Sequence, residues 1–147
     1  MEKTVREKLG VAVYGADEET LEGVTLEACA KLGWTLTVVE VNTGGELSRR
    51  LSQAGRAAFV GGQILSALDK GQGLAEAVAA QMKSVGASAA LGLTARQAAG
   101  ENLGVDMLVV TPNVQDASTR GYGGHPKNIP AWGANNALEM LRREISR

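Results

Sequence analysis

The chain has 147 residues, 44% of them apolar and 21% charged, with a net charge of −1. That length suits one domain, which buries roughly two-thirds of the surface its unfolded chain exposes. No basic block stands beyond the pairs Arg49–Arg50 and Arg142–Arg143, which argues against nucleic acid as a partner. No run approaches the ~18 apolar residues of a membrane span, and the charged start MEKTVREK lacks the apolar core of a secretory signal. The single cysteine, Cys29, excludes an internal disulfide and any cysteine-rich metal site. These features together predict a cytoplasmic protein with no metal and no cofactor.

In chain order, VAVYG (11–15) reads as a short edge strand. Asp17 is placed as the N-cap of a helix with Leu21, Val24, Ala28 and Leu32 at helical spacing and Gly33 as its stop. A strand follows over 35–41. A helix after Gly45 presents Leu47 and Leu51 and stops at Gly55. Residues 56–66 read as a strand interrupted by Gly61-Gly62, a pair that predicts a bulge or a close backbone approach. Leu74, Val78, Met82 and Val85 line one face of a helix over 73–85. ASAALGLT (87–94) has the small apolar composition of a buried central strand.

VDMLVVT (105–111) is a strand stopped by Pro112. Asn113 to Ala117 reads as a turn, with STRGY as the returning strand of a hairpin. Pro130 suits a helix start, and Ala134, Leu138, Leu141 and Ile145 form the stripe of a last helix. Early strands alternate with helices and a hairpin comes late. The expected fold is an α/β, three-layer α/β/α sandwich with a mixed, mainly parallel sheet.

Several stretches carry a resemblance: VYGADEETLEGV (13–24), TLTVVEVNTGG (35–45), FVGGQILS (59–66), AALGLT (89–94), and GYGGHP before the last helix. On these the whole chain, 1–147, resembles the C-terminal domain of the CinA competence/damage-inducible family, with 1–16 similar to the segment that joins this domain to the rest of CinA. Active members of that family are nicotinamide mononucleotide deamidases that use a serine nucleophile, and the family tends to form dimers. The resemblance therefore implies the family's fold, a nucleotide-like small-molecule partner and a homo-oligomer.

The departures fall on the residues that carry the chemistry. The family's Glu-Ser-Cys-Thr-Gly-Gly becomes Glu40-Val41-Asn42-Thr43-Gly44-Gly45, so valine stands where the nucleophilic serine would be, and valine has no lone pair to attack an amide. Ser66 occupies the place of an assisting tyrosine. Lys70 lies near, but short of, the place of an assisting lysine. A family stretch around His-Gly-Ala-Val-Ser has no counterpart between Lys70 and Gly73. The family's Thr-Gly-Ile-Ala-Gly-Pro loop becomes Thr94-Ala95-Arg96-Gln97-Ala98-Ala99.

The residues then pose alternatives. Thr43-Gly44-Gly45 at a strand-to-helix junction is either an anion cradle at a helix start, with Arg49 or Arg50 adding to it, or a tight turn with Thr43 as cap. Glu40 is either a base or a cap. Ser66 and Lys70 are either a dyad or a solvated pair. His125 in GYGGHPKN is either a general base or phosphate contact, with Arg120 and Lys127 close in sequence, or, as favoured, an exposed loop residue before Pro126. Arg96 and Gln97 either fill a disused pocket or read another ligand. Ligand contacts are expected from Glu40, Thr43, Gly44, Gly45, Gly61, Gly62, Thr94 and Arg96. Thr43, Ser66 and Lys70 are the weak candidates for catalysis. The leading expectation is a domain without deamidase activity that binds a nucleotide-like ligand or a protein. The others are a rearranged nicotinamide-nucleotide amidase and a self-association domain.

Overall fold

The computed structural model describes residues 20–97 and 102–146; the expected strand at 11–15 and the Asp17 cap lie outside them. The described elements are α1 (Leu21–Lys31), β1 (Leu36–Val41), α2 (Glu46–Gln53), β2 (Phe59–Leu65), α3 (Leu74–Val85), β3 (Ala89–Arg96), β4 (Gly104–Val110), β5 (Gln115–Gly121), a 3-10 turn (Pro126–Asn128) and α4 (Ile129–Ile145). The strands form one sheet in the order β2-β1-β3-β4-β5. β1 pairs in parallel with β2 and β3, while β3–β4 and β4–β5 are antiparallel. Four of the five strands thus point the same way and only β4 runs against them, as the mixed, mainly parallel reading expects.

The connections place the helices. From β1 the chain steps outward to β2, then back across β1 to β3. Both crossovers join parallel strands, so both take the right-handed form. Steps in opposite directions put α2 and α3 on opposite faces. α1 and α4 join α2 on the first face, over a core containing Leu26, Cys29, Leu36, Val38, Leu47, Leu51, Leu91, Leu93, Val105, Met107, Leu138 and Leu141. α3 covers the second face over a smaller cluster: Val39, Val41, Ala77, Val78, Ala90 and Leu108, with Leu65, Leu68, Leu74, Met82 and Val110 packed against it. Each fully buried leucine contributes roughly 1.5–3 kcal/mol. Two glycines bring helices close: a Cβ on Gly92 would lie 2.9 Å from Val78 Cγ2, and one on Gly133 2.8 Å from Val105 Cγ1.

The structure corrects three local expectations. α1 begins at its N-cap Thr20, whose hydroxyl accepts from the Gly23 amide, and it buries Gly23, Thr25, Leu26 and Cys29. The expected stripe of Leu21, Val24, Ala28 and Leu32 is half-buried to exposed, with Leu32 49% exposed. Apolar residues run round most of this helix, so the periodicity has two solutions and the sheet selects the other. On α3, Ala77 and Val78 are buried while Val85 is exposed. The hairpin turn falls at Thr111–Val114, where the Thr111 amide donates to the Val114 carbonyl at 2.8 Å, so β5 starts earlier than STRGY suggests. The Gly61-Gly62 pair produces both expected features. The β1–β2 register slips between Leu36–Phe59 and Val38–Gly62, with Gly61 at φ 121. A Cβ on Gly62 would lie 2.5 Å from Ser48 Oγ on α2.

Candidate functional site

The carboxyl ends of β1, β2 and β3 meet beside the start of α2, the place where open parallel sheets hold ligands. Glu40, on β1, is fully buried. Its Oε1 accepts from the Thr43 hydroxyl at 2.7 Å and the Leu47 amide at 2.8 Å, and its Oε2 accepts from the Ser48 amide at 2.6 Å. The N-cap of α2 is Gly45, which has no side chain to serve the free amides. Glu40 serves them from inside the sheet, and its negative charge sits at the positive end of the helix. It fulfils the cap role rather than standing free as a base.

Thr43 is buried, and its hydroxyl also receives the Gly45 amide at 3.3 Å. Gly45 is buried, and a Cβ there would lie 2.8 Å from Ile64 Cδ1, while Gly44 is exposed. Arg49 pairs with Glu46 at 2.9 Å. Arg50 reaches α1, where Nε and Nη2 meet the two carboxylate oxygens of Glu22 at 3.2 and 3.1 Å. Both arginines are engaged on α1 or α2. Burial pushes the Glu22 carboxyl up, but the Arg50 hydrogen bond, its own backbone amide and the charges of Arg50 and Arg49 outweigh it and hold its pKa below the usual value.

Val41, expected at the position of the family's serine, is 4% exposed and belongs to the apolar cluster under α3. Ser66 and Lys70 are exposed on the connection after β2. Thr94 stands opposite Val41 in the β1–β3 pairing, and its hydroxyl is buried with no hydrogen-bond partner. Arg96 turns along the β3–β4 hairpin. Its Nε donates to the Asn102 carbonyl at 2.9 Å, and its Nη1 meets Asp106 Oδ1 at 2.6 Å. The same oxygen accepts from the Thr119 hydroxyl at 2.9 Å. The sequence reading missed Asp106 and Thr119. Alternation on an exposed hairpin was the available signal, and it does not name a partner.

Gly61 and Gly62 shape the β2 edge: the Gly61 carbonyl accepts from the Thr37 hydroxyl at 2.6 Å, and Gly62 lets α2 approach. The candidate ligand residues therefore divide. Glu40, Thr43, Gly45, Thr94 and Arg96 gather at the strand ends, while Gly61 and Gly62 lie lower on the edge strand.

His125 accepts the Lys127 amide at Nδ1 and caps the 3-10 turn. Cys29 is buried, and burial pushes its thiol up to about 11. Tyr122 and Trp132 pack at 4.7 Å between ring centroids. A groove of about 400 Å³ lies elsewhere, between α1 and α4, lined by Thr20, Leu21, Val24, Asn135, Glu139 and Arg142. Among the described residues, no three His, Cys, Asp or Glu side chains gather as metal ligands, and no helix is long and apolar enough to cross a membrane.

No family model matches the chain. A CinA-like protein of Frankia casuarinae is 36% identical over 173 aligned residues, covering 99% of this chain and 40% of that protein. A putative competence-damage inducible protein of Moorella thermoacetica is 35% identical over 112 residues, covering 71% of this chain and 27% of that protein. The chain thus spans less than half the length of these relatives. Among solved structures, a competence or damage-inducible protein from Enterobacter asburiae superposes with a TM-score of 0.73 at 15% identity, over 87% of this chain and 99% of that one. That likeness is one of fold. By sequence and by fold, the chain belongs to the CinA-like, competence/damage-inducible family.

Proposed function

We propose that the chain is a CinA-like domain without deamidase activity that binds a nucleotide-like small molecule at the carboxyl ends of its parallel strands. The observation that carries this reading is Val41, 4% exposed within the apolar cluster under α3. A nucleophile needs a lone pair and a base within hydrogen-bond reach. Val41 offers no lone pair, and the cluster it belongs to is apolar, with Leu65 as its pairing partner on β2. The alignment with the Frankia protein, at 173 positions, is longer than this chain of 147 residues. That excess supports a loss of family residues here, which the reading places between Lys70 and Gly73.

A rearranged amidase has one observation in its favour. Thr43 Oγ1 lies 2.7 Å from a Glu40 carboxylate oxygen, a hydroxyl beside a candidate base. The amides of Leu47 and Ser48 hold the same carboxylate, which commits it to capping and weighs against that reading.

The test is to incubate the protein with nicotinamide mononucleotide, follow ammonia release, and titrate it calorimetrically with the same nucleotide and with ADP-ribose. Saturable heat without product is the expected result. Product formation that Thr43→Val abolishes would replace this reading with the amidase. No heat from folded protein would move the function to a protein partner, a second copy included.

A further inference from the structure

Two side chains tie the strand ends together just beyond the Val41–Thr94 pair. Asn42 Nδ2 donates to the Ala95 carbonyl at 3.2 Å, and Gln97 Nε2 donates to the Asn42 carbonyl at 2.5 Å. The Asn42 amide reaches the third strand, donating to the Leu65 carbonyl at 2.8 Å. Among the described residues, Asn42 is the one non-glycine with positive φ, at 62°. Asparagine enters that region more readily than most residues because its side chain is short and polar. Both side-chain bonds join one strand end to its neighbour, so they act as a cross-link over the gap between β1 and β3.

Next to this cross-link lies a hydroxyl without a partner. Thr94 Oγ1 is buried and makes no hydrogen bond. A buried orphan of that kind marks a missing partner or a site of stored cost. By strand alternation Thr94 shares the sheet face of Gly92, which packs against Leu74 and Val78 of α3. That is also the face of the Val41 cluster. The orphan donor and the cross-link therefore stand at the same strand ends, where parallel sheets take ligands.

We propose that Asn42 and Gln97 form a latch across the strand ends, and that releasing it admits a neutral hydroxyl or carboxamide group to hydrogen-bond Thr94. The ligand half of this inference rests on the binding reading above; the closure does not.

Closure is tested by Thr94→Cys as an accessibility probe, alkylated with iodoacetamide. Cys29 is buried with a raised thiol pKa, so it stays silent and reports the integrity of the core. The rate is compared with the latch intact, with Gln97→Met, which keeps bulk but loses the donor, and with Asn42→Gly combined with Gln97→Ala. Glycine suits the positive φ that Asn42 leaves behind. A tenfold or greater rise in labelling in both latch variants, with Cys29 unlabelled, is expected. Equal rates overturn the latch. If the double variant also exposes Cys29 it has unfolded, and Gln97→Met decides alone.

Calorimetry with nicotinamide mononucleotide, which carries hydroxyls and a carboxamide, separates the two halves on proteins retaining Thr94. Tighter binding on release of the latch, lost again with Thr94→Val, is expected. Faster labelling with no heat in any variant overturns the ligand half and leaves the latch standing.

Discussion

The two faces of the sheet have been treated differently. On the face of α1, α2 and α4, an uninterrupted apolar core is joined to a buried polar device, the Glu40 carboxylate that caps α2. On the α3 face a single helix covers a smaller cluster that includes Val41. The first face holds the framework that aims a strand-end site. The second is packed with hydrocarbon around Val41 and Leu65. Glu40 and Val41 are neighbours in sequence, yet strand alternation sends them to opposite faces.

The sharpest way to break this contrast is Glu40→Ala. It removes a carboxylate that accepts three hydrogen bonds and leaves the Leu47 and Ser48 amides buried without acceptors. Each such loss costs about 1–3 kcal/mol, so we expect about 4 kcal/mol off the unfolding free energy, read by urea denaturation. Less than 1 kcal/mol would mean that water or Thr43 replaces the cap. Gly62→Val probes the same face from the edge strand. Its Cβ would meet Ser48 Oγ at 2.5 Å and Val38 Cγ2 at 2.7 Å, and overpacking of that kind costs about 1–3 kcal/mol. Gly62→Ala should recover part of the loss.

Much of the framework was legible in the sequence, and the reason is local. α3 lies between Gly73 and Gly86, α4 starts at a Pro130 signal, and the Gly61-Gly62 pair announced both the bulge and the close approach. α1 was placed but turned, because apolar residues on most sides left its burial to tertiary contacts. Within the site, the apolar character of Val41 was legible, whereas its packing under α3 was not, since that cluster is assembled from residues of β1, β2, β3, β4 and α3. The role of Glu40 was half legible. A helix beginning at Gly45 lacks a side-chain cap, and a buried acid just upstream is a candidate to replace it. The Asn42–Gln97 tie joins residues 55 apart in sequence, which no local pattern reports.

The α3 face yields a smaller effect. Val41→Ser puts a hydroxyl into the apolar cluster under α3 and removes apolar volume there. We expect about 2 kcal/mol of destabilisation and no release of ammonia from nicotinamide mononucleotide. Adding Ser66→Tyr should still leave the protein inactive if, as proposed, a family stretch after Lys70 is missing and is not restored. Deamidation by the double variant would mean that side chains alone were lost, and that the α3 face remains a working site in outline.

The smallest effect belongs to the seam between α1 and α2. Arg50 holds Glu22 with both side chains largely buried, and the net pull of Arg50 and the backbone lowers the Glu22 pKa against the opposing push of burial. A carboxyl whose folded pKa lies below its unfolded value binds its proton more weakly in the native state. Its stabilisation is therefore complete above the unfolded value of 4.5 and is lost as pH falls through the lower folded value. Glu22→Gln should cost about 1 kcal/mol at neutral pH. The gap between variant and parent should narrow below the unfolded value and close once pH falls past the folded one. A gap that persists unchanged into acid would mean that Glu22 supports the seam by shape and hydrogen bonding, independently of its charge.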